Sequence, residues 1–416
     1  MKMRKPILTN ILPENYPFDL DFLPSSSFVV GGAVRDALLG REREYLDLDF
    51  VVGENAVETA HKIAKHYQAG FVLLDSERQI ARVVFPHATV DIAQQEGENL
   101  ETDLGRRDFT INAIAYNPRT KNIIDPLQGC QDLERGLIKM ISRKNLQDDP
   151  LRLLRGYRQA SQLNFEIDDH TQETISSLSF LIQQVALERV RVEVSYMLNS
   201  VNGTVWLQKA CTSGLLAFFF HNATPEGISR LAKVDSAVSI IKQKWQQLYI
   251  KLHQPIRNTI KTTWLGIAKI ACLVSQNPEI AEAQLQEITY SKAEINSVTT
   301  ALKNFSELHK PQISLREQYF FFKAVGDVFP TTAILSLAHD NKVDAIEGAI
   351  ASYLNPDDLV AHTTPLVSGK DIIISLNIPS SPQIGKILTE IAIAQVEGRV
   401  STASQAIEYA RKLIKV

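Results

Sequence analysis

The stretch "GGAVRDALLGREREYLDLDFVV", Gly31–Val52, decides how the first part of the chain folds. It follows "SFVV", a short β-branched run, so a strand ends at Gly31-Gly32 and helical spacing takes over from Ala33 to Leu39. The paired glycines leave bare backbone N–H groups at a helix start, where a phosphate binds well. On their own they are more often a plain turn. In "YLDLDFVV", Leu46, Leu48 and Phe50 point to one side of the next strand and Asp47 and Asp49 to the other, because side chains alternate along a strand. At a rise of ~3.3 Å per residue the two carboxylates stand about 7 Å apart along the strand and repel unless a cation lies between them. Mg²⁺ suits that place, since it takes oxygen ligands and shares them with substrate phosphates. An isolated D-x-D is usually a solvated strand face; close behind a Gly-Gly turn, the metal reading outweighs it.

Outward from this stretch, "GFVLL", "IARVVF" and "ATVDIA" read as further strands and Ala56–Tyr67 as a helix, giving an α/β head that runs to about Lys139. Asp91, on the β-branched run "ATVDIA", is the candidate third carboxylate of a two-metal site, with an exposed strand face as its alternative reading. After "ISRKNLQDDP" the strands are expected to stop. Apolar residues recur three and four apart at Leu151, Leu154 and Tyr157, then over Ile175–Val185 and Val190–Leu198, and an all-helical region extends to about Tyr353. Its breaks are "NATPEG", "HQPIRN", "SQNPE", "HKPQIS" and "VFPT". "NPDDLVAHTTPLVSGKD" marks a further boundary, and "PQIGKILTEIAIAQVEGRVSTASQAIEYARKLIKV" is a last helical module. The expected organisation is α+β: a head with a small mixed sheet over 1–140, a helical neck over 141–200, a helical body over 201–355 and a helical tail over 356–416.

The chain has 416 residues, room for two to four domains with ample core. Lys+Arg 44 against Asp+Glu 47 gives a net charge of -3, so any phosphate-binding surface must be local rather than a property of the whole chain. Cys130, Cys211 and Cys272 match no metal spacing and read as reduced, mostly buried thiols. "MKMRKPILTNILPENYPFDL" begins basic but holds no apolar run of signal-peptide length, and no segment reads as membrane-spanning. These features lead us to expect a soluble, cytoplasmic protein with no membrane partner.

Taken together, "GGAVRDALLGREREYLDLDFVV" resembles the catalytic signature of nucleotidyltransferases related to polymerase β. The continuation "GRRDFTINAIAYN", Gly105–Asn117, narrows the resemblance to the bacterial group of class II tRNA nucleotidyltransferases (CCA-adding enzymes) and poly(A) polymerases. It implies a polymerase-β-like head, catalytic Asp47, Asp49 and Asp91 with Mg²⁺ on Asp47 and Asp49, and nucleotide or phosphate contacts from Gly31, Gly32, Arg35, Arg107 and Asp108, with Asn112 supporting the loop. The bland reading of "RRDFTINA" is a helix start capped by Asp108 with Arg106 solvated.

The family's Glu-Asp-x-x-Arg motif has its counterpart in "DDPLRLLRGYRQASQLNF", Asp148–Phe165. Asp149 can accept from an exocyclic amine and Arg152 can donate to a ring acceptor, which fits the Watson–Crick edges of C and A but not of U and G. The resemblance assigns nucleotide selection to Asp149 and Arg152, with Arg155 and Arg158 on the same helical side; a surface i, i+3 pair is the plain alternative. "ERVRVEVSYML", from Glu188, matches the segment that usually closes this region, with Glu188 and Arg189 either ordering the neck or making surface contacts. In the tail, Gly369, Lys370, Gly385 and Lys386 are candidate tRNA backbone contacts.

Two departures matter. Asp148 stands where Glu is usual, and only "IAQQEGENLETDLG" separates Asp91 from Arg106, whereas relatives that add the terminal A usually carry a longer flexible loop. The implied activity is template-independent addition of C, with A left open, to tRNA 3′ ends from CTP and ATP with release of pyrophosphate. A CC-adding enzyme that relies on a separate A-adding enzyme is a serious form of it. The alternatives are a poly(A) polymerase and a non-catalytic RNA-binding protein. "AHDN", at His339-Asp340, lacks partner histidines at ligand spacing and reads as chance rather than as a metal phosphohydrolase.

Overall fold

The structure is a computed structural model that describes residues 11–41, 45–200, 202–257, 260–310 and 314–414. The basic start of the N-terminal stretch, residues 42–44 of the opening motif, Asn258 of "HQPIRN" and 311–313 of "HKPQIS" lie outside the described residues. The chain divides into two compact units, Met1–Leu215 and Leu216–Val416.

The first unit runs β1 (Ser27–Val30), α1 (Gly32–Leu38), β2 (Leu46–Val52), α2 (Ala56–Tyr67), β3 (Gly70–Asp75), β4 (Ile80–Phe85), β5 (Ala88–Gln94), α3 (Leu100–Gly105), β6 (Ala115–Asn117), β7 (Asn122–Ile124), α4 (Gly129–Arg135), β8 (Leu137–Ile138), α5 (Arg143–Asp148), α6 (Leu151–Leu163), β9 (Glu166–Ile167), α7 (Asp169–Leu178), α8 (Leu187–Leu198) and α9 (Gly203–Thr212). Seven strands form one mixed sheet in the order β3-β4-β5-β2-β1-β6-β7, and only the central β2–β5 pair is parallel. That pair is reached by a crossover through α2 and the β3–β4 hairpin.

The alternation read from the sequence holds. Leu48, Phe50 and Val52 are buried on one face, where α2 supplies Ala60, Ile63 and Ala64 and the rings of Tyr16 and Phe18 lie 5.4 and 5.9 Å from that of Phe50. On the other face Val51 packs with Val30, Ala115 and Leu104 of α3. Cover on this face therefore begins beyond the two acids, and Asp47 and Asp49 open onto a cleft. Helix α6 packs against α8 and α9, and at Gly156 an added Cβ would stand 3.1 Å from the Phe109 ring and 3.3 Å from Ile175, so the helix approaches closely only without a side chain there.

The structure corrects several expectations in this unit. Strands β6 and β7, three residues each, extend the sheet; β8 and β9 pair in parallel, so strands do not end with "ISRKNLQDDP". The helix expected over Ile175–Val185 is instead α7, started by Asp168 accepting from the Thr171 N–H (3.0 Å), followed by a 3₁₀ turn at Ser179–Gln184.

The second unit runs α10 (Pro225–Lys244), α11 (Gln246–Leu252), β10 (Pro255–Arg257), β11 (Ile260–Thr263), α12 (Trp264–Leu273), α13 (Pro278–Glu287), α14 (Lys292–Asn304), a 3₁₀ turn at Phe305–His309, α15 (Leu315–Val325), α16 (Phe329–Asp340), α17 (Val343–Leu354), α18 (Gly369–Leu376), α19 (Pro382–Val396) and α20 (Ala403–Ile414). "HQPIRN" is thus part of an antiparallel hairpin, β10–β11, in a region read as all-helical. "NATPEG" and "SQNPE" do start helices, capped by Thr224 and Asn277 with proline in the first turn. The last three helices share a core of their own around Ile372, Ile387, Ile391 and Ala406. Leu315–Asp340 is long and apolar enough to cross a membrane by length and composition, contrary to expectation; the 3₁₀ turn Gly326–Val328 divides it, and most of its apolar window is buried inside the protein.

Candidate active site

Gly31 has φ +73°, and a Cβ there would stand 3.2 Å from Arg107 Nη1 and 3.6 Å from Asp49 Oδ2. Both facts call for glycine: the conformation is left-handed and the backbone runs against two charged groups. Strand β5 places Thr89 beside Asp47 and Asp91 beside Asp49, and β4 places Arg82 beside Asp91. The Thr89 hydroxyl donates to Asp47 Oδ1 (2.7 Å), and Asp47 stays exposed. Arg82 donates from Nε and Nη2 to the two oxygens of Asp91 (2.6 and 2.8 Å). Asp91 thus lies next to Asp49 as expected, but its carboxylate is occupied by a bidentate arginine.

Asp49 is left short of counter-charge. Burial first, then the charges of Asp91 and Asp47, push its carboxyl up to about 6, against the pull of Arg107 and Arg82. A set of oxygen donors that repel one another in this way fits a hard divalent cation, which would reverse that shift by supplying positive charge.

The opposite wall is basic. Asp103 on α3, 1 % exposed, accepts from Arg106 (3.3 Å) and Arg107 (3.2 Å) and anchors both. Arg106 also pairs with Glu96 (2.9 Å), so it is not simply solvated. Asp108 is buried and accepts from its neighbour Phe109 N–H (2.8 Å), Asn112 Nδ2 (2.8 Å) and Arg155 Nε (2.8 Å). Burial alone would raise its pKa; the Arg155 charge and these hydrogen bonds outweigh burial and hold the carboxyl well below the usual range. Gln159 Oε1 accepts from Asn112 (2.9 Å) and Arg35 (3.3 Å), and Arg35 donates to Asn112 Oδ1 (2.8 Å) and Asp36. Arg35 is therefore a brace between α1, the Asn112 loop and α6, with its donors directed into the protein.

Asp149 closes α5, and α6 begins after Pro150. Arg152 Nη1 donates to the carbonyls of Arg106 (2.7 Å) and Asn145 (3.1 Å), while its Nε stands 4.0 Å from Asp149. Arg189 of α8 reaches Asp149 at 3.3 Å and so links α8 to the end of α5; Glu188 remains exposed. Arg158 pairs with Glu193 (2.6 Å) and lies 5.5 Å from the centre of the Tyr196 ring. Asp148 points elsewhere, to Lys144 (2.6 Å).

All of this frames one cleft of about 590 Å³. Gly31, Gly32, Arg35, Asp47, Asp49, Arg107, Asp108, Asn112, Asp149, Arg152, Arg155 and Arg158, chosen from the sequence, line it together. Asp91 is not part of the lining; Arg106, Gln162 and Tyr196 are, and were not foreseen. Tyr196 lies within "ERVRVEVSYML", the segment already singled out from Glu188. Asp103 carried no such signal. Between β5 and Arg106 the chain spends only the five residues 95–99 and α3, and this short link is tied back: Glu96 N–H donates to Asp103 (3.1 Å) and Asn99 caps α3 at Thr102 (2.9 Å). Gly369 and Lys370 start α18, Gly385 and Lys386 are the fourth and fifth residues of α19, and both lysines are exposed.

Acids short of counter-charge on one wall and arginines on the other suit a polyanion carried with a divalent cation, and the class of protein so defined is a nucleotidyltransferase. Comparison with known proteins agrees. The "Poly A polymerase head domain" family matches residues 27–139 and tRNA nucleotidyltransferase domain 2 matches residues 258–410. A CC-adding tRNA nucleotidyltransferase from Synechocystis sp. is 47% identical over 97% of each chain, and one from Geobacter sulfurreducens is 28% identical over 93% of this chain and 91% of that one. A CCA-adding enzyme solved with CTP shares the fold, with a TM-score of 0.71 over 94% of this chain and 91% of that one at 22% identity. The chain belongs to the tRNA nucleotidyltransferase family. Membership makes it an enzyme and implies dependence on a divalent metal.

Proposed function

We propose that this enzyme adds two C residues, and no A, to the 3′ end of tRNA, consuming CTP and releasing pyrophosphate. The observation that carries the CC-only form is the short, tied-back link before Arg106, in a chain 47% identical to a CC-adding relative. A pocket that accepts C and then A must change shape between additions, and a link held by Asp103 and the Asn99 cap has little slack for that change. ATP is then a poor substrate, and completion of the tRNA falls to a separate A-adding enzyme.

Asp47 and Asp49 would hold Mg²⁺, which when bound supplies positive charge to the attacking 3′-hydroxyl and the departing pyrophosphate. The backbone at Gly31 and Gly32 lets the triphosphate approach without a side chain between, and Arg107 offers it a cation. Asp91, paired with Arg82, acts here through the field at Asp49 rather than as a ligand. Asp149 accepts from the exocyclic amine of C while Arg152 donates to the ring acceptors N3 and O2. Arg152 is pre-oriented by two carbonyls and Asp149 by Arg189, which lowers the ordering cost of recognition. Arg155 and Asp108 hold α6 against the loop that carries Asn112; Arg158 presents charge beside Tyr196.

The division into head (1–140), neck (141–200), body (201–355) and tail (356–416) belongs to this proposal. Body and tail would grip the tRNA by backbone and shape, as A-form RNA offers little else to read, with Lys370 and Lys386 among the contacts.

The test offers the purified protein and Mg²⁺ three tRNA transcripts, ending before the CCA, after C and after CC, with CTP, ATP or both. Products that stop after the second C are expected. Full CCA would overturn the CC-only form, and long ATP-only tails would move the assignment to a poly(A) polymerase.

A further inference from the structure

The sequence reading set His339-Asp340 aside for want of partner histidines, yet the fold supplies one from thirty residues away. His309 ends the 3₁₀ turn after α14, His339 and Asp340 end α16, and their ligand atoms all lie within 4.8 Å of one another. His309 Nδ1 stands 3.0 Å from Asp340 Oδ2 and His339 Nδ1 2.5 Å from Asp340 Oδ1. The first of these ring nitrogens is buried and makes no well-aligned hydrogen bond.

We propose that His309, His339 and Asp340 form a second metal site, for a late first-row divalent ion of the Zn²⁺ class, separate from the carboxylate site on the sheet. Two imidazoles and one carboxylate are the donors such ions prefer, whereas Mg²⁺ prefers oxygen and retains water. Bonds of ~2.0–2.1 Å on a tetrahedral ion set ligand atoms about 3.3 Å apart, so the two His–Asp pairs need only open slightly to admit it. Two features favour it. The far nitrogen of His309, Nε2, is 3.0 Å from Ser336 Oγ, which can accept as readily as donate and so leaves Nδ1 free to bind a metal. The cluster also sits at the carbonyl end of the twelve-residue α16, where the helix dipole favours positive charge. Lys342 Nζ, 3.8 Å from Asp340, is exposed and can swing aside. The rival arrangement is a hydrogen-bonded His–Asp–His trio that binds nothing.

The experiment is equilibrium dialysis of the full chain against micromolar Zn²⁺ with millimolar Mg²⁺ present to occupy the sheet acids, and visible absorption of the Co²⁺-substituted protein. We expect one retained Zn²⁺ per chain, intense Co²⁺ bands of an imidazole-bound, low-coordinate ion, and at least a tenfold loss of affinity in His339→Gln. His339 is exposed, so that variant keeps its fold even where His309→Gln does not. No retained Zn²⁺, or unchanged affinity and Co²⁺ spectrum in His339→Gln, would overturn the site.

Discussion

Asp49 on the sheet and Asp108 at the seam with α6 line the same cleft under opposite fields. Asp49 is flanked by Asp47 and Asp91, and its carboxyl rises to about 6. Asp108 takes hydrogen bonds from Arg155, Asn112 and the Phe109 backbone, and its carboxyl falls. One acid has unspent charge to offer a ligand; the other has spent its charge inside the protein. Proximity to the cleft therefore does not assign a role, and the partner count does.

The most severe way to break the comparison is Asp49→Asn. If Asp49 is a metal acid, single-turnover incorporation of CTP should drop by about a thousandfold or more, roughly 4 kcal/mol of barrier, with the melting temperature unchanged or raised because a repelling charge is gone. A loss of stability with activity retained would reverse the assignment. Next comes Asp108→Asn, which leaves Arg155 without its partner. Urea unfolding should show a loss of about 2–3 kcal/mol, less than for a fully buried pair because Arg155 is 37 % exposed. Activity should fall only as far as α6 shifts. An unaltered unfolding midpoint would show that the Asp108 cluster is not structural.

The smallest effect separates the two acids by pH. A carboxyl raised in the folded state binds its proton more tightly there, so Asp49 adds stability in acid that is lost as pH climbs from about 4 to about 6. Asp108, being lowered, adds stability that is present above the usual carboxylate range and lost as pH falls below it. Melts of metal-free protein at pH 4, 5 and 6 should show wild type losing about 2 kcal/mol of stability relative to Asp49→Asn across that range. Excess Mg²⁺ should oppose that trend in the wild type alone. A flat difference would mean that Asp49 is not repelled as described.

Much of this was legible in the sequence because it rests on period and spacing. The alternation in "LDLDFVV" placed Asp47 and Asp49 together on one face, whereas Asp149 and Arg152 were assigned to the site by the resemblance of "DDPLR" to the family motif. What escaped depends on register between strands and on long-range partners. Nothing in "IARVVF" says that Arg82 will lie opposite Asp91 and occupy it, since that follows from the β4–β5 pairing. Asp103 and Gln159 look like ordinary helix residues until burial commits their polar atoms to Arg107 and Asn112. β6 and β7 are too short to show a period, and His309 meets His339 only through helix packing.

The cleft draws its lining from Gly31 through Tyr196. On the ribosome, where roughly 5–20 residues are added each second, many seconds separate the emergence of the sheet acids from that of α8. The nascent chain therefore carries both sheet acids for many seconds before the wall that α6 and α8 supply to the cleft has been made.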